Sequence, residues 1–108
     1  FSLKNVIVSS DSLLTSIGPQ AFQGALITTF YAPASLKEIG MFAFAYTSLK
    51  TITFPIDSKL AGIGSAVFLN THITSISIPN SVNTLGQLAF NGCKQLVNVN
   101  IPTELKSI

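Results

Sequence analysis

The chain has 108 residues, 47% of them apolar and only 9% charged, which is too hydrophobic for a disordered segment and implies a buried core within one domain's length of chain. No window holds the 18 or more uncharged apolar residues that span a bilayer, because Ser, Thr, Asn, Gly and Pro interrupt every run, so membrane insertion is not expected. The formal charge of +2 comes from six scattered lysines against four acids, without a basic stripe, and nucleic acid is therefore not an expected partner.

Cys93 is the only cysteine, so neither a disulfide framework nor a cysteine-based metal site can be built within the chain. The sequence opens at Phe1 without the charged and apolar regions of a secretory signal, which implies processing or truncation.

Taken in order, the chain is a series of repeats. A large aliphatic residue precedes glycine at Ile17-Gly18, Ile39-Gly40, Ile63-Gly64 and Leu85-Gly86, at spacings of 22, 24 and 22, and Ile108 stands 23 residues beyond Leu85. Four residues after each glycine comes Phe22, Phe44, Phe68 or Phe90, preceded by Ala21, Ala43, Val67 or Ala89. A third register consists of extended segments with apolar positions at Leu3/Val6/Val8, Ile27/Phe30/Ala32, Leu49/Ile52/Phe54, Ile73/Ile76/Ile78 and Leu96/Val99/Ile101. Pro33, Pro55, Pro79 and Pro102 end the last four of these segments and keep the strands short, because proline removes a ladder donor. The first copy has Ser9 there. The first and third copies carry two extra turn residues, Ser10-Asp11-Ser12 matching Ile56-Asp57-Ser58, and these turns are expected to bulge at one edge.

A period of this length decides the fold. If each copy is one turn of a coil, equivalent residues in successive copies stack about 4.8 Å apart and each motif column becomes an internal ladder. The column glycines are expected to allow either a positive-φ bend or a close approach of backbones, and the segment from glycine to Phe has room for no more than one helical turn.

The segment IPNSVNTLGQLAFNGC, residues 78–93, resembles the BspA-like, or Treponema-type, leucine-rich repeat, and the resemblance extends over essentially the whole chain. It implies a leucine-rich repeat solenoid: a β-rich right-handed superhelix of about 23-residue units, with short parallel strands stacked into a concave sheet and short turns or single helical turns between them. Residues 1–108 then form a single solenoid segment of about four and a half repeats. The departures are Ser9 for proline, Val67 for alanine, and a small-residue column reading Ala25, Thr47, Thr71, Cys93. Neither end shows the polar outer face of a capping repeat, so the chain is expected to be part of a longer array, continuing past Ile108 with a glycine and able to make end-to-end contacts with further repeats.

The candidate chemistry is sparse. His72, the only histidine, precedes a strand with no Asp or Cys at ligand spacing, and reads as an ordinary loop residue. Cys93 lies in the small-residue column and reads as a buried thiol. Asp11, Glu38, Asp57 and Glu104 are not paired within a copy, so acid/base catalysis has no candidate pair and no cofactor or metal is expected.

The outward strand positions are the candidate binding face, with Lys4, Thr29, Tyr31, Lys50, Thr53, Ser77, Asn98 and Asn100 as its most plausible residues. Threonine and serine also suit any exposed strand. As a binding surface the face would be anchored by Tyr31 flanked by Lys4 and Lys50, since aromatic residues dominate interface energetics. The resemblance implies a surface or secreted protein that binds a host or matrix protein. A structural subunit packed inside a larger assembly, intracellular or not, is the alternative.

Overall fold

In the computed structural model, residues 13–102 are described. They form a β-solenoid of about four turns built from eight strands of two or three residues, and no described residue is helical. Each turn contributes a three-residue strand on one wall and a two-residue strand on another. The three-residue strands are β2 (Thr29–Tyr31), β4 (Thr51–Thr53), β6 (Ser75–Ser77) and β8 (Asn98–Asn100). The two-residue strands are β1 (Ser16–Ile17), β3 (Glu38–Ile39), β5 (Gly62–Ile63) and β7 (Thr84–Leu85). All pairings are parallel.

The two-residue strands make one continuous four-stranded sheet in the order β1-β3-β5-β7, with Ile17, Ile39, Ile63 and Leu85 in register. The expected aliphatic column is therefore a sheet in its own right. The wall carrying the longer strands is divided: β2 pairs with β4 and β6 with β8, but no ladder joins β4 to β6.

The core lies between these walls. Ile27, Phe30, Leu36, Ile39, Leu49, Leu60, Ile63 and Ile73 have at most 2% of their surface exposed. The Phe column is present as a stack of rings. Phe22 and Phe44 have centroids 5.4 Å apart, Phe44 and Phe68 6.0 Å, and Phe68 and Phe90 5.7 Å, with interplanar angles of 20°, 8° and 8°. Phe30 joins the stack at a tilt, 5.2 Å from Phe44. Such pairs contribute about 0.5–1.5 kcal/mol each beyond the area they bury.

The corner between the column glycine and the next strand is irregular in dihedral angle but fully laddered. Its amides donate to the next turn at every second residue: Gln20 to Met41, Phe22 to Ala43 and Gly24 to Ala45, then Phe42 to Ser65, Phe44 to Val67 and Tyr46 to Leu69, then Ala66 to Gln87, Phe68 to Ala89 and Asn70 to Asn91. Thus alternate amides of these three corners are satisfied where no regular strand exists.

Three of the column glycines, Gly40, Gly64 and Gly86, serve close approach, and none of the four has a positive φ. A Cβ on Gly40 would stand 2.6 Å from the Pro19 nitrogen, and one on Gly64 2.8 Å from the Met41 nitrogen; on Gly86 it would run into the Gly64 and Ser65 backbone. The left-handed residues are instead two and six positions further on. They are Gln20, Phe42, Ala66 and Leu88, with φ of 54–63° shared with Tyr46 and Asn70, and then Gly24 and Gly92 at 77° and 76°. The second set occupies the third position of turns closed by Ala25 N–H to Phe22 C=O and its equivalents at Thr47, Thr71 and Cys93, where a type II turn needs positive φ. Each described corner thus holds two residues in left-handed backbone, a conformation that costs a side-chain-bearing residue about 1–2 kcal/mol.

Candidate functional site

The strand wall offers its outward side chains in two rows. Thr29 stands beside Thr51 and Ser75 beside Asn98 in one; Tyr31 stands beside Thr53 and Ser77 beside Asn100 in the other. The inward residue of each strand, Phe30, Ile52, Ile76 or Val99, packs against the core, so the rows are fixed from below by apolar contacts. This is the period-2 alternation of a strand with one buried face. All row members are exposed except Thr29, which is half-buried.

Tyr31 has 64% of its surface exposed and is the only aromatic residue in the rows. The Asn100 amide donates to the Ser77 hydroxyl at 3.1 Å, so these two candidates form one polar unit. Lys50 falls elsewhere. It is at the bend entering β4, its amide donating to the Thr28 carbonyl at 2.8 Å, three residues before the Thr53 that neighbours Tyr31. At about 3.3 Å per residue its Cα lies roughly 10 Å along the strand from that row. Lys50 therefore flanks Thr28 and not Tyr31, while Lys4 lies outside the described residues.

Between β4 and β6 runs a cleft of about 250 Å³ lined by Thr51, Ile52, Thr53, Phe54, Ser75, Ile76 and Ser77. A second, of about 280 Å³, continues from Phe54 and Ser77 past Pro55, Ile56, Pro79 and Asn80. The long third turn does bulge: Ile56 at its tip is fully exposed and Asp57 is exposed beside it. The matching turn Ser10-Asp11-Ser12 lies outside the described residues.

The sequence reading overlooked a second surface. On the corner, Met41, Tyr46 and Leu88 are 48%, 52% and 62% exposed, and Phe42 packs on a small separate cluster of Ala45, Ala66 and Leu69. The signal was present in MFAFAY, residues 41–46, where the first copy has the polar Gln20 and Gln23 at the positions of Phe42 and Ala45.

His72 is exposed, with its amide donating to the Leu49 carbonyl. Cys93 is half-buried; its thiol lies 2.9 Å from the Phe68 carbonyl and 3.4 Å from the Thr71 hydroxyl. Thr47 and Thr71 fill the same column and donate to the Phe44 and Phe68 carbonyls. The column is thus a hydrogen-bonded seam under the Phe stack, which explains why small polar side chains recur there. Among the described residues no group of three His, Cys, Asp or Glu side chains converges on a possible metal position, and no helix is long and apolar enough to cross a membrane.

Parallel strands recurring every 22 to 24 residues, an aliphatic sheet and a Phe stack define this molecule as a leucine-rich repeat solenoid, typically a scaffold for protein interaction. The family model described as BspA type Leucine rich repeat region matches residues 2–108 in six copies, and the chain belongs to that family of repeat modules, which are often surface-related. Neither the curated proteins nor the solved structures compared with the chain gave a match.

Proposed function

We propose that the chain is a non-enzymatic protein-binding module of a surface or secreted repeat protein, and that it binds a host or matrix protein through the strand face. The observation that carries this reading is the pair of outward rows: short hydroxyl and amide side chains on a laddered backbone, with Tyr31 raised among them. Short polar, nearly uncharged side chains lose little rotamer entropy on binding, and the one tyrosine of the rows supplies a large apolar contact with a polar tip. Thr53, Ser77, Asn98 and Asn100 would add hydrogen bonds around it.

The corner favours a second reading, a structural subunit within a larger assembly, because Met41, Tyr46 and Leu88 leave apolar surface open outside the strand rows. The test is a pull-down from extracellular and matrix fractions with the 108-residue chain, identification of the captured protein by mass spectrometry, and affinity measurement with variants. Tyr31→Ala is expected to weaken binding about tenfold or more while leaving the circular dichroism spectrum and unfolding midpoint unchanged. Leu88→Ser should leave binding intact. Loss of binding in Leu88→Ser alone, or recovery of a stable intracellular assembly only, would reverse the two readings.

A further inference from the structure

We infer that the strand face has a built-in flexing point at the β4–β6 junction, set by the two-residue insertion Ile56-Asp57. The two turns that meet there share a core in which Ile52 and Ile76 are both buried, but along this wall no backbone ladder joins them. On the opposite side β5 and β7 are paired, and the corner contributes the bonds from Ala66 to Gln87, Phe68 to Ala89 and Asn70 to Asn91. On the strand wall only the margins are tied: the His72 amide donates to the Leu49 carbonyl at one end, and the Ser81 hydroxyl to the Leu60 carbonyl at the other.

The polar groups facing the seam follow from alternation. Thr51 donates to Thr28 and the Thr53 carbonyl accepts from Ala32, so residues 51 and 53 face β2 and the amide and carbonyl of Ile52 face β6. Asn98 donates to Thr74 and Ile78 donates to Asn100, so Thr74, Ile76 and Ile78 face β8, and Ser75 and Ser77 turn their main chain toward β4. Closing the seam would therefore form a ladder between Ile52 and the pair Ser75 and Ser77. Opening it widens the cleft those residues line.

The insertion supplies the cause. Eight residues, 54–61, link β4 to β5, whereas six link β2 to β3 and six link β6 to β7. The interval from β3 in the preceding turn to β5 contains the insertion and is 24 residues, against 22 from β5 to β7 in the following turn, and β5 stays paired with both. The mismatch is taken up on the strand wall. With one edge pinned and the other loose, the ribbons β2–β4 and β6–β8 can change their angle, and the curvature of the binding face changes with it.

Amide exchange and relaxation dispersion on the isotope-labelled 108-residue chain test this directly. The amides of Ile52, Ser75 and Ser77 are expected to exchange about 100-fold faster than those of Thr53 and Ile76, which lie one residue away but bond within a ribbon. Microsecond-to-millisecond broadening should be confined to β4, β6 and their margins. Deleting Ile56 and Asp57 together should slow the exchange of Ile52 and Ser77 by about tenfold or more and abolish the broadening. Equal protection of Ile52, Thr53, Ser77 and Ile76 in the unaltered chain would overturn the open seam, whether or not the deletion variant folds. Fast exchange without broadening would overturn the flexing, and a folded deletion variant with an unchanged profile would overturn the insertion as its cause.

Discussion

At the scale of single residues, the glycine column shows how one residue type can be required for a reason other than backbone freedom. Gly40, Gly64 and Gly86 lie against the backbone of the preceding turn, where a methyl group has no room. Gly86→Ala is expected to destabilise by about 1–3 kcal/mol, the usual penalty for overpacking, whereas Gly18→Ala, whose Cβ would meet nothing within 4 Å, should be close to neutral. Urea unfolding of the two variants checks the contrast. Cys93→Thr belongs to the same scale: threonine already fills that column at positions 47 and 71 and bonds the carbonyl three residues back. The substitution should change stability by no more than about 0.5 kcal/mol, and it would remove the only thiol.

The residues that bend the chain were less legible. Bulky side chains at Phe42 and Leu88 give no sign that their φ is positive, since left-handed backbone is ordinarily signalled by glycine or asparagine. Only Gly24, Asn70 and Gly92 announce it in the sequence. Gln20, Phe42, Tyr46 and Ala66 are held by the corner ladder, each donating to a carbonyl of the next turn, while the Leu88 carbonyl accepts from the Asn91 amide in the last described corner. Tertiary bonding overrides local preference here, and local preference is all that a single sequence displays.

At the scale of elements, the Phe stack and the aliphatic sheet were legible because each repeats at a fixed offset and each is fully apolar. Phe68 lies between Phe44 and Phe90 with both rings nearly parallel to it, and none of its surface is exposed. Phe68→Ala should cost about 3–5 kcal/mol, cavity included. Phe22 and Phe90, half-buried at the ends of the described stack, should cost less. Equal losses at all three sites in chemical denaturation would mean that the rings are not stacked in this order. The break between β4 and β6 was not legible. The sequence announced a longer turn at Ile56-Asp57, but a bulge confined to the edge and a bulge that unzips the neighbouring strand look the same from composition.

The placement of the candidate site was partly legible on the same grounds. Alternation along a strand fixes which side chains point outward, so Tyr31, Thr53, Ser77, Asn98 and Asn100 are exposed as expected. Which of them are neighbours depends on register and on the bend before each strand, and this is where Lys50 parts from Tyr31. The corner with Met41, Tyr46 and Leu88 escaped because a run of apolar residues in one copy reads as additional core until the turn is seen to point two of its side chains into solvent.

At the scale of the whole molecule, no turn has a core of its own. Leu36, Leu60 and Val82 are buried in successive turns, whereas the equivalent Leu14 is 40% exposed. Stability therefore resides in the interfaces between turns, and a binding face made of one short strand per turn exists only because those interfaces hold the strands side by side. The same logic explains why the face can be polar and nearly uncharged without cost to the fold: its side chains contribute almost nothing to the stacked columns below.

The claim on which everything else rests is that equivalent residues of successive copies stack in register. Ring-to-ring nuclear Overhauser effects among the phenylalanines measure this most directly. The account predicts strong contacts for Phe22 with Phe44, Phe44 with Phe68 and Phe68 with Phe90, and none for Phe22 with Phe68 or Phe44 with Phe90. Absence of the neighbouring contacts, or their replacement by contacts that skip a turn, would contradict it.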